Sequence, residues 1–484
     1  MPVQRLKLAM AIVAIDQGTS GTKALVIGDS GEVLSRGYSP LELQHGAPGV
    51  SECTADNLWQ SIIIAVKQAL TGSTEKITAV GLANQGESIL AWDKNNGDAL
   101  SQVIIWQDSR SATLCEERSA HSAFVLSKSG LTIDPYFVAP KMVWLRERVK
   151  TGVITTTDSW IIAKLTGKFV TDVSTASRTL LFDLHTRAWS SELAEIWGLD
   201  VGDFPELIKN DQVIGEICHP DLEQLRGVVL AGAMVDQPAA LLAENCFEIG
   251  QAKCTYGTGA FLLTNIGDTP KISKHGLATS LAWNIRGESA YYLDGQVFTA
   301  ATAVQWLIEN NLLDSAEAID SLPDARGVMA APGFAGYGAP LWKPRATASI
   351  AGLTLSHGKG EIARAMVDGI AAQVADLLSA IAADGVSVTH LRVDGGLTQS
   401  QTLMQMQADL AQVEIEVYPH PDATAIGVAN LAAMATQSAL HLGDFASSWK
   451  PAHTYSPAWS ADRAQSYLAK WRTLPATALE SAHE

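Results

Sequence analysis

The segment Leu8-Ala-Met-Ala-Ile-Val-Ala-Ile-Asp-Gln-Gly-Thr-Ser-Gly-Thr-Lys23 decides how the rest of the chain is read. Residues 8–15 form an unbroken apolar run of the length of a buried strand. The run stops on Asp16, and the residues after it carry two glycines (Gly18, Gly21), three hydroxyls (Thr19, Ser20, Thr22) and Lys23. A second strand over 23–27, a turn at Asp29-Ser-Gly31 and a third strand from Val33 make the opening an antiparallel meander. The turn holds the groups that grip a nucleotide phosphate: open backbone N–H groups, hydroxyl donors, a cation, and an Asp able to hold Mg²⁺. A plain glycine-rich hairpin has the same composition.

Outward from the meander, residues 54–70 place Leu58, Ile62, Ile63, Val66 and Leu70 at helical spacing, and a strand is expected over 77–83. Strands and helices then alternate, which is the signature of an α/β architecture. The pattern restarts at Cys254-Thr-Tyr-Gly-Thr-Gly259, followed by an apolar strand over 261–266. Two halves, each opening on a Gly/Thr turn beside a strand, place the expected domains at 1–245 and 246–484. The stripe Ile362, Met366, Ile370, Val374, Leu377 and Ile381 predicts a core helix over 360–384.

The 484 residues include 34 basic and 51 acidic side chains, a formal charge of −17, which disfavours nucleic acid and anionic membrane as partners. Five widely spaced cysteines (Cys53, Cys115, Cys218, Cys246, Cys254) with no CxxC read as reduced, mostly buried thiols. The apolar run behind Arg5 and Lys7 resembles the start of a signal peptide, but Asp16 ends it and no small-residue cleavage site comes after it. No uncharged apolar run reaches the ~20 residues that cross a bilayer, so a cytoplasmic protein is expected.

Two further turns repeat the phosphate-binding chemistry. Thr255-Tyr-Gly-Thr-Gly-Ala260 has hydroxyls and glycines, and Val393-Asp-Gly-Gly396 ends a strand before a helix expected over 402–410. No GxxxxGK[ST] occurs and no GxGxxG follows the first strand, which argues against a P-loop or a dinucleotide dehydrogenase. Asp236, between an apolar strand over 227–230 and a helix over 237–242, stands where a carboxylate takes a proton from a hydroxyl attacking a γ-phosphate. A helix N-cap is the ordinary alternative there.

These segments, with Asn84-Gln-Gly-Glu87, Trp106-Gln-Asp108, Ile133-Asp-Pro-Tyr-Phe137, Thr157-Asp-Ser-Trp160, Ser177-Arg-Thr179 and Val235-Asp-Gln237, run in one order along nearly the whole chain. Gly352, Leu353, Glu361 and Asp368 complete the set. In that order the chain resembles the FGGY family of carbohydrate kinases, most of all its glycerol-kinase branch. The resemblance implies an actin-like ATPase (ribonuclease H-like) fold, two domains with mixed five-stranded sheets around a nucleotide cleft. It implies ATP and Mg²⁺ as cofactors, Asp236 as general base, and Asp16 with Asp236 at the metal. It places Thr19, Ser20, Lys23, Thr258, Gly259, Gly395 and Gly396 beside the nucleotide. Glu87, Trp106, Tyr136, Asp236, Gln237 and Phe261 would hold a small polyol or sugar, whose terminal hydroxyl is phosphorylated. A homodimer is left open.

The chain departs from the glycerol-kinase pattern at Gly86, where that branch has an arginine, and at Lys23, Ala301, Gln401, Val138 and Arg148. Ala139-Pro-Lys141 looks more like pentulose kinases, so a pentulose kinase is the nearest alternative, and a silent sugar or nucleotide sensor the alternative of another class. A glycine at 86 supplies neither hydrogen-bond donors nor bulk, so acceptors longer than glycerol are expected.

Overall fold

A computed structural model of the chain describes residues 10–479 apart from 45, 47, 48, 344 and 447–449. Leu8 and Ala9, where the opening strand was expected to start, and Arg5 and Lys7 before them lie outside the described residues.

The apolar run forms the strand Met10–Gln17, and Asp16 and Gln17 still pair with Lys23 and Thr22 before the chain turns. The turn is therefore tighter than the composition suggested: Gly18, Thr19 and Ser20 alone, closed by Gly18 N donating to Gly21 O at 3.0 Å. The strands Gly21–Gly28 and Val33–Pro40 complete the antiparallel meander. The helix Ala55–Thr71 starts at Thr54, whose hydroxyl caps Asn57 N, and buries Leu58, Ile62, Ile63 and Val66 across those strands. Gly37 makes this approach feasible, because a Cβ there would fall 1.9 Å from Ala65 O.

On the other side of the opening strand, Lys76–Asn84 and Val229–Val235 add in parallel and Val213–Glu216 closes the edge antiparallel. The strand before Asp236 runs five residues past its expected end at Leu230. The pairing shifts between Leu230 and Ala233, around Gly232 in a left-handed conformation (φ 83°), and then resumes. The extra residue at this glycine is taken up as a bulge in the sheet.

The second sheet repeats the plan. Ala252–Tyr256, Ala260–Gly267 and Glu288–Val297 form an antiparallel meander, and His390–Asp394 and Glu414–Val417 add in parallel. Each sheet thus has the expected five-stranded mixed core, widened by antiparallel edge strands to six in the first and seven in the second. With a cleft between them, this is the actin-like ATPase architecture. A four-stranded sheet of Glu52–Cys53, Val103–Ile104, Ile89–Trp92 and Val153–Thr156 is appended to the first half.

The helix Lys359–Ala383 packs on helix Gln401–Ala411 and on the second sheet. By length and composition it is the one helix among the described residues able to cross a membrane, but 83% of its most apolar window is buried within the protein. The helix Ala423–Thr436 follows a second-sheet strand yet lies on the first sheet and against helix Asp236–Ala243. Glycines permit that contact: a Cβ on Gly427 would sit 1.9 Å from Ala239 O, and one on Gly81 2.6 Å from Val428 O.

Candidate active site

Strand ends from both sheets open into one cavity of about 1170 Å³. Asp16 leaves the opening strand there, and Asp236 starts the helix Asp236–Ala243 there, with Gln237 N donating back to its Oδ1 at 2.7 Å. Both carboxylates lie deep in the cleft. Burial and the charges of Asp16 and Glu87 push Asp236 up to about 7, against the pull of Lys253. Burial pushes Asp16 up to about 6, opposed by Lys23 and reinforced by Asp422 and Asp394. A buried carboxyl raised by the charge of a neighbouring carboxyl, as Asp236 is by Asp16, marks a place where a cation is favourable.

The first turn brings Thr19, Ser20 and Lys23 to the cavity, with two partners the sequence did not announce. Thr19 Oγ1 accepts from Trp106 Nε1 at 2.8 Å, tying the turn to the aromatic wall. Lys23 Nζ lies 3.6 Å from Asp422, which also accepts from Arg36 Nε at 3.1 Å. The second turn presents Gly257 and Thr258, whose carbonyls accept from Ala301 N and Ala300 N at the start of helix Ala301–Glu309. Gly259 lies behind this turn rather than on the cavity wall, since a Cβ there would meet Val297 O at 2.4 Å. The third turn divides its glycines: Gly395 is packed against the backbone of Tyr256, 2.4 Å from a built Cβ, whereas Gly396 has open space in front of it.

The rest of the pocket is aromatic and carboxylate. Trp106 stands edge-on to Tyr136 and to Phe261, ring centroids 5.6 and 5.8 Å apart. The buried amine of Lys141 donates to the carbonyls of Tyr136 and Phe137 and so fixes the loop that carries Tyr136; its pKa is pushed down to about 8 by burial. Gln237 receives a hydrogen bond from the buried amine of Lys253, which also donates to Thr255 Oγ1 at 2.8 Å. Glu87 adopts a left-handed backbone (φ 56°) behind the Gln85-Gly86 turn, a conformation that costs energy for a non-glycine residue. The surrounding bonds hold it: Gln85 N to Gln17 O at 2.7 Å and Ser88 N to Gly86 O at 2.7 Å.

Comparison with known proteins matches residues 11–243 to the N-terminal domain, and residues 252–436 to the C-terminal domain, of the FGGY family of carbohydrate kinases. The chain belongs to that family. This FGGY kinase is 37% identical to a glycerol kinase of Bordetella parapertussis, over 95% of the chain and 96% of that protein. It is 40% identical to a glycerol kinase of Gloeobacter violaceus, over 88% of each. The crystal structure of Plasmodium falciparum glycerol kinase with ADP superimposes with a TM-score of 0.89 at 28% identity, covering 98% of this chain and 99% of that one. A xylulose kinase from Lactobacillus acidophilus shares the fold at 21% identity, TM-score 0.87, over 96% of this chain and 97% of that one. The chain is a carbohydrate kinase, an ATP phosphotransferase.

Several residues of this FGGY kinase that shape the cleft carried no assigned role in the sequence. Arg178, inside the Ser177-Arg-Thr179 motif, donates from Nε to Glu87 Oε1 at 2.6 Å and lines the pocket with Tyr292 and Asp294. Spacing gave no sign of them, because Arg178 and Glu87 are 91 positions apart.

Proposed function

We propose that the chain uses Mg²⁺ with ATP to phosphorylate a terminal hydroxyl of a small polyol or sugar, with Asp236 as the general base. The observation that carries this reading is the convergence of Asp16, Asp236 and Glu87 in one cleft between the phosphate-type turns. A carboxylate whose pKa is raised toward neutrality is a stronger base than an ordinary one, and better matched to taking a proton from a hydroxyl as that oxygen attacks. Gln237, pinned by Lys253, and Tyr136, pinned through Lys141, orient the acceptor, while Trp106 and Phe261 cover its C–H face. Backbone N–H groups and hydroxyls around Ser20 and Thr258, with Lys23 once released from Asp422, receive the phosphates.

The donor set suits Mg²⁺. Among the described residues no cluster of three or more His, Cys, Asp or Glu could hold a metal by itself, and Mg²⁺ in kinase sites characteristically takes one or two carboxylates together with substrate phosphates and water. Asp16 and Asp236 would hold it, and its charge would offset that of the phosphates. The similarity to glycerol kinases supports a polyol acceptor, while Gly86, which has no side chain to donate to a glycerol hydroxyl, supports one longer than glycerol. All five cysteines are free and four are buried, which fits the reducing cytoplasm we assign.

The test is ADP release from the purified protein with ATP, Mg²⁺ and a series of C3–C6 polyols and ketoses. Acceptor-dependent ADP production is expected. ADP release that no acceptor stimulates would refute the reading and favour a sensor.

A further inference from the structure

Arg178 is buried, with a side chain 4% exposed, and is held by groups from both halves of the molecule. Its Nε meets Glu87 Oε1 at 2.6 Å, its Nη2 meets Asp294 Oδ2 at 2.8 Å, and its Nη1 donates to Ser280 Oγ at 2.9 Å. Glu87 belongs to the first half; Asp294 lies in the strand Glu288–Val297 and Ser280 in Ala278–Ile285, both in the second sheet. Gln296 donates from Nε2 to the same Asp294 oxygen that Arg178 holds. Each carboxylate thus commits one oxygen to the guanidinium. The other oxygens, Glu87 Oε2 and Asp294 Oδ1, have no hydrogen-bond partner among the described residues, and neither is sealed from the cavity that both side chains line.

A fixed carboxylate oxygen facing a polyol pocket is an acceptor waiting for a hydroxyl. Glu87 is the nearer of the two to the reacting end: the strand before it ends at Asn84, paired with Val235, the residue before Asp236, and its charge helps to raise Asp236. Asp294 lies across the guanidinium from it, on the opposite sheet.

We propose that Asp294, clamped by Arg178, accepts a hydrogen bond from a substrate hydroxyl remote from the one that is phosphorylated, so that C4 and C5 acceptors are preferred over glycerol. This rests on the polyol or sugar kinase reading above. A glycerol molecule with its reacting hydroxyl at Asp236 leaves Asp294 unmatched, and a site built to bond a hydroxyl discriminates against the analogue that lacks it.

The experiment measures kcat and KM for glycerol, erythritol, ribitol, erythrulose and xylulose with the wild-type enzyme, Asp294→Asn and Asp294→Glu. Asparagine turns its oxygen to Arg178 and Gln296 and presents an NH₂ to the cavity. The expected result is a fall in kcat/KM, mainly through KM, that is about tenfold larger for the preferred C4 or C5 acceptor than for glycerol. Asp294→Glu keeps the charge that Arg178 needs for folding but pushes the carboxylate one methylene into the cavity, and should lower the ratio of C4/C5 to glycerol activity. Equal losses on all acceptors, or an unchanged ratio in both variants, would overturn the proposal while leaving the kinase reading intact. A wild-type enzyme that favours glycerol over every C4 and C5 compound would also overturn it. A wild-type enzyme that releases ADP with none of these acceptors would instead overturn the reading on which the proposal stands.

Discussion

Gly86 and Val235 compete for one volume, and a double-mutant cycle measures that competition. A Cβ built on Gly86 falls 2.9 Å from Val235 Cγ2, closer than real Cβ contacts come, and the backbone at 86 is outside the left-handed region, so space is the only obstacle. Val235 is 3% exposed at the end of its strand and cannot swing into solvent. Gly86→Ala should therefore cost about 1–3 kcal/mol by overpacking. Val235→Ala removes two buried methyl groups and should cost about 1–3 kcal/mol by itself. In the double variant the new methyl occupies part of the space just vacated, so the combined loss should fall short of the sum by about 1–2 kcal/mol. Urea unfolding midpoints of the four proteins, analysed with a common slope, give the coupling directly. Costs that add to within about 0.5 kcal/mol would show that the two positions do not share that space, and would refute the reasoning. The same geometry governs specificity. Gly86→Arg alone should impair all acceptors, whereas Gly86→Arg with Val235→Gly should recover activity and shift it toward glycerol.

Three other perturbations have expected outcomes. Asp236→Asn keeps the shape of the side chain but removes the proton acceptor, and kcat should fall about 10²–10⁴-fold with acceptor binding retained by calorimetry; near-normal turnover would remove Asp236 from the role of base. Asp16, Asp236 and Asp368 are pushed up by burial to about 6, 7 and 6, and burial raises Asp158 as well. The folded chain therefore binds more protons than the unfolded chain from about pH 4 to 7, and the nucleotide-free protein should melt at a higher temperature near pH 5.5 than near pH 8. A lower Tm at the acid value would contradict that sign. Gly427→Ala places a methyl against the backbone oxygen of Ala239 and should lower the unfolding midpoint by several times the shift of an exposed Gly→Ala control, or abolish soluble expression; an unchanged midpoint would mean that the two helices separate freely.

The parts of this enzyme legible in the sequence are those made by neighbours along the chain. Two of the phosphate-type turns are a few residues between apolar strands, the third joins a strand to a helix, and Asp236 stands between its strand and its helix, so local pattern marked them as candidates. Groups joined across the fold were not legible. Asp422 meets Arg36 from 386 residues away, and no spacing rule links them. The Arg178 clamp draws on three separate strands or loops. The helix Ala423–Thr436 has apolar and small residues on every side, so its pattern could not say which sheet it covers; its glycine and alanines fit it to the first. The strand before Asp236 shows another limit: expected to end at Leu230, it continues to Val235 because the sheet accommodates one extra residue around Gly232.

That helix makes the chain cross between the two sheets three times: after helix Asp236–Ala243, on entering helix Ala423–Thr436 from the strand Glu414–Val417, and on returning to the strand His453–Tyr455. Three tethers at separate places in the sequence restrain the two sheets against one another more than a single linker would. Cutting the gene between the two family domains would leave the first sheet with one face bare and the second carrying an orphaned apolar helix, so the halves should be rescued by co-expression rather than by separate folding.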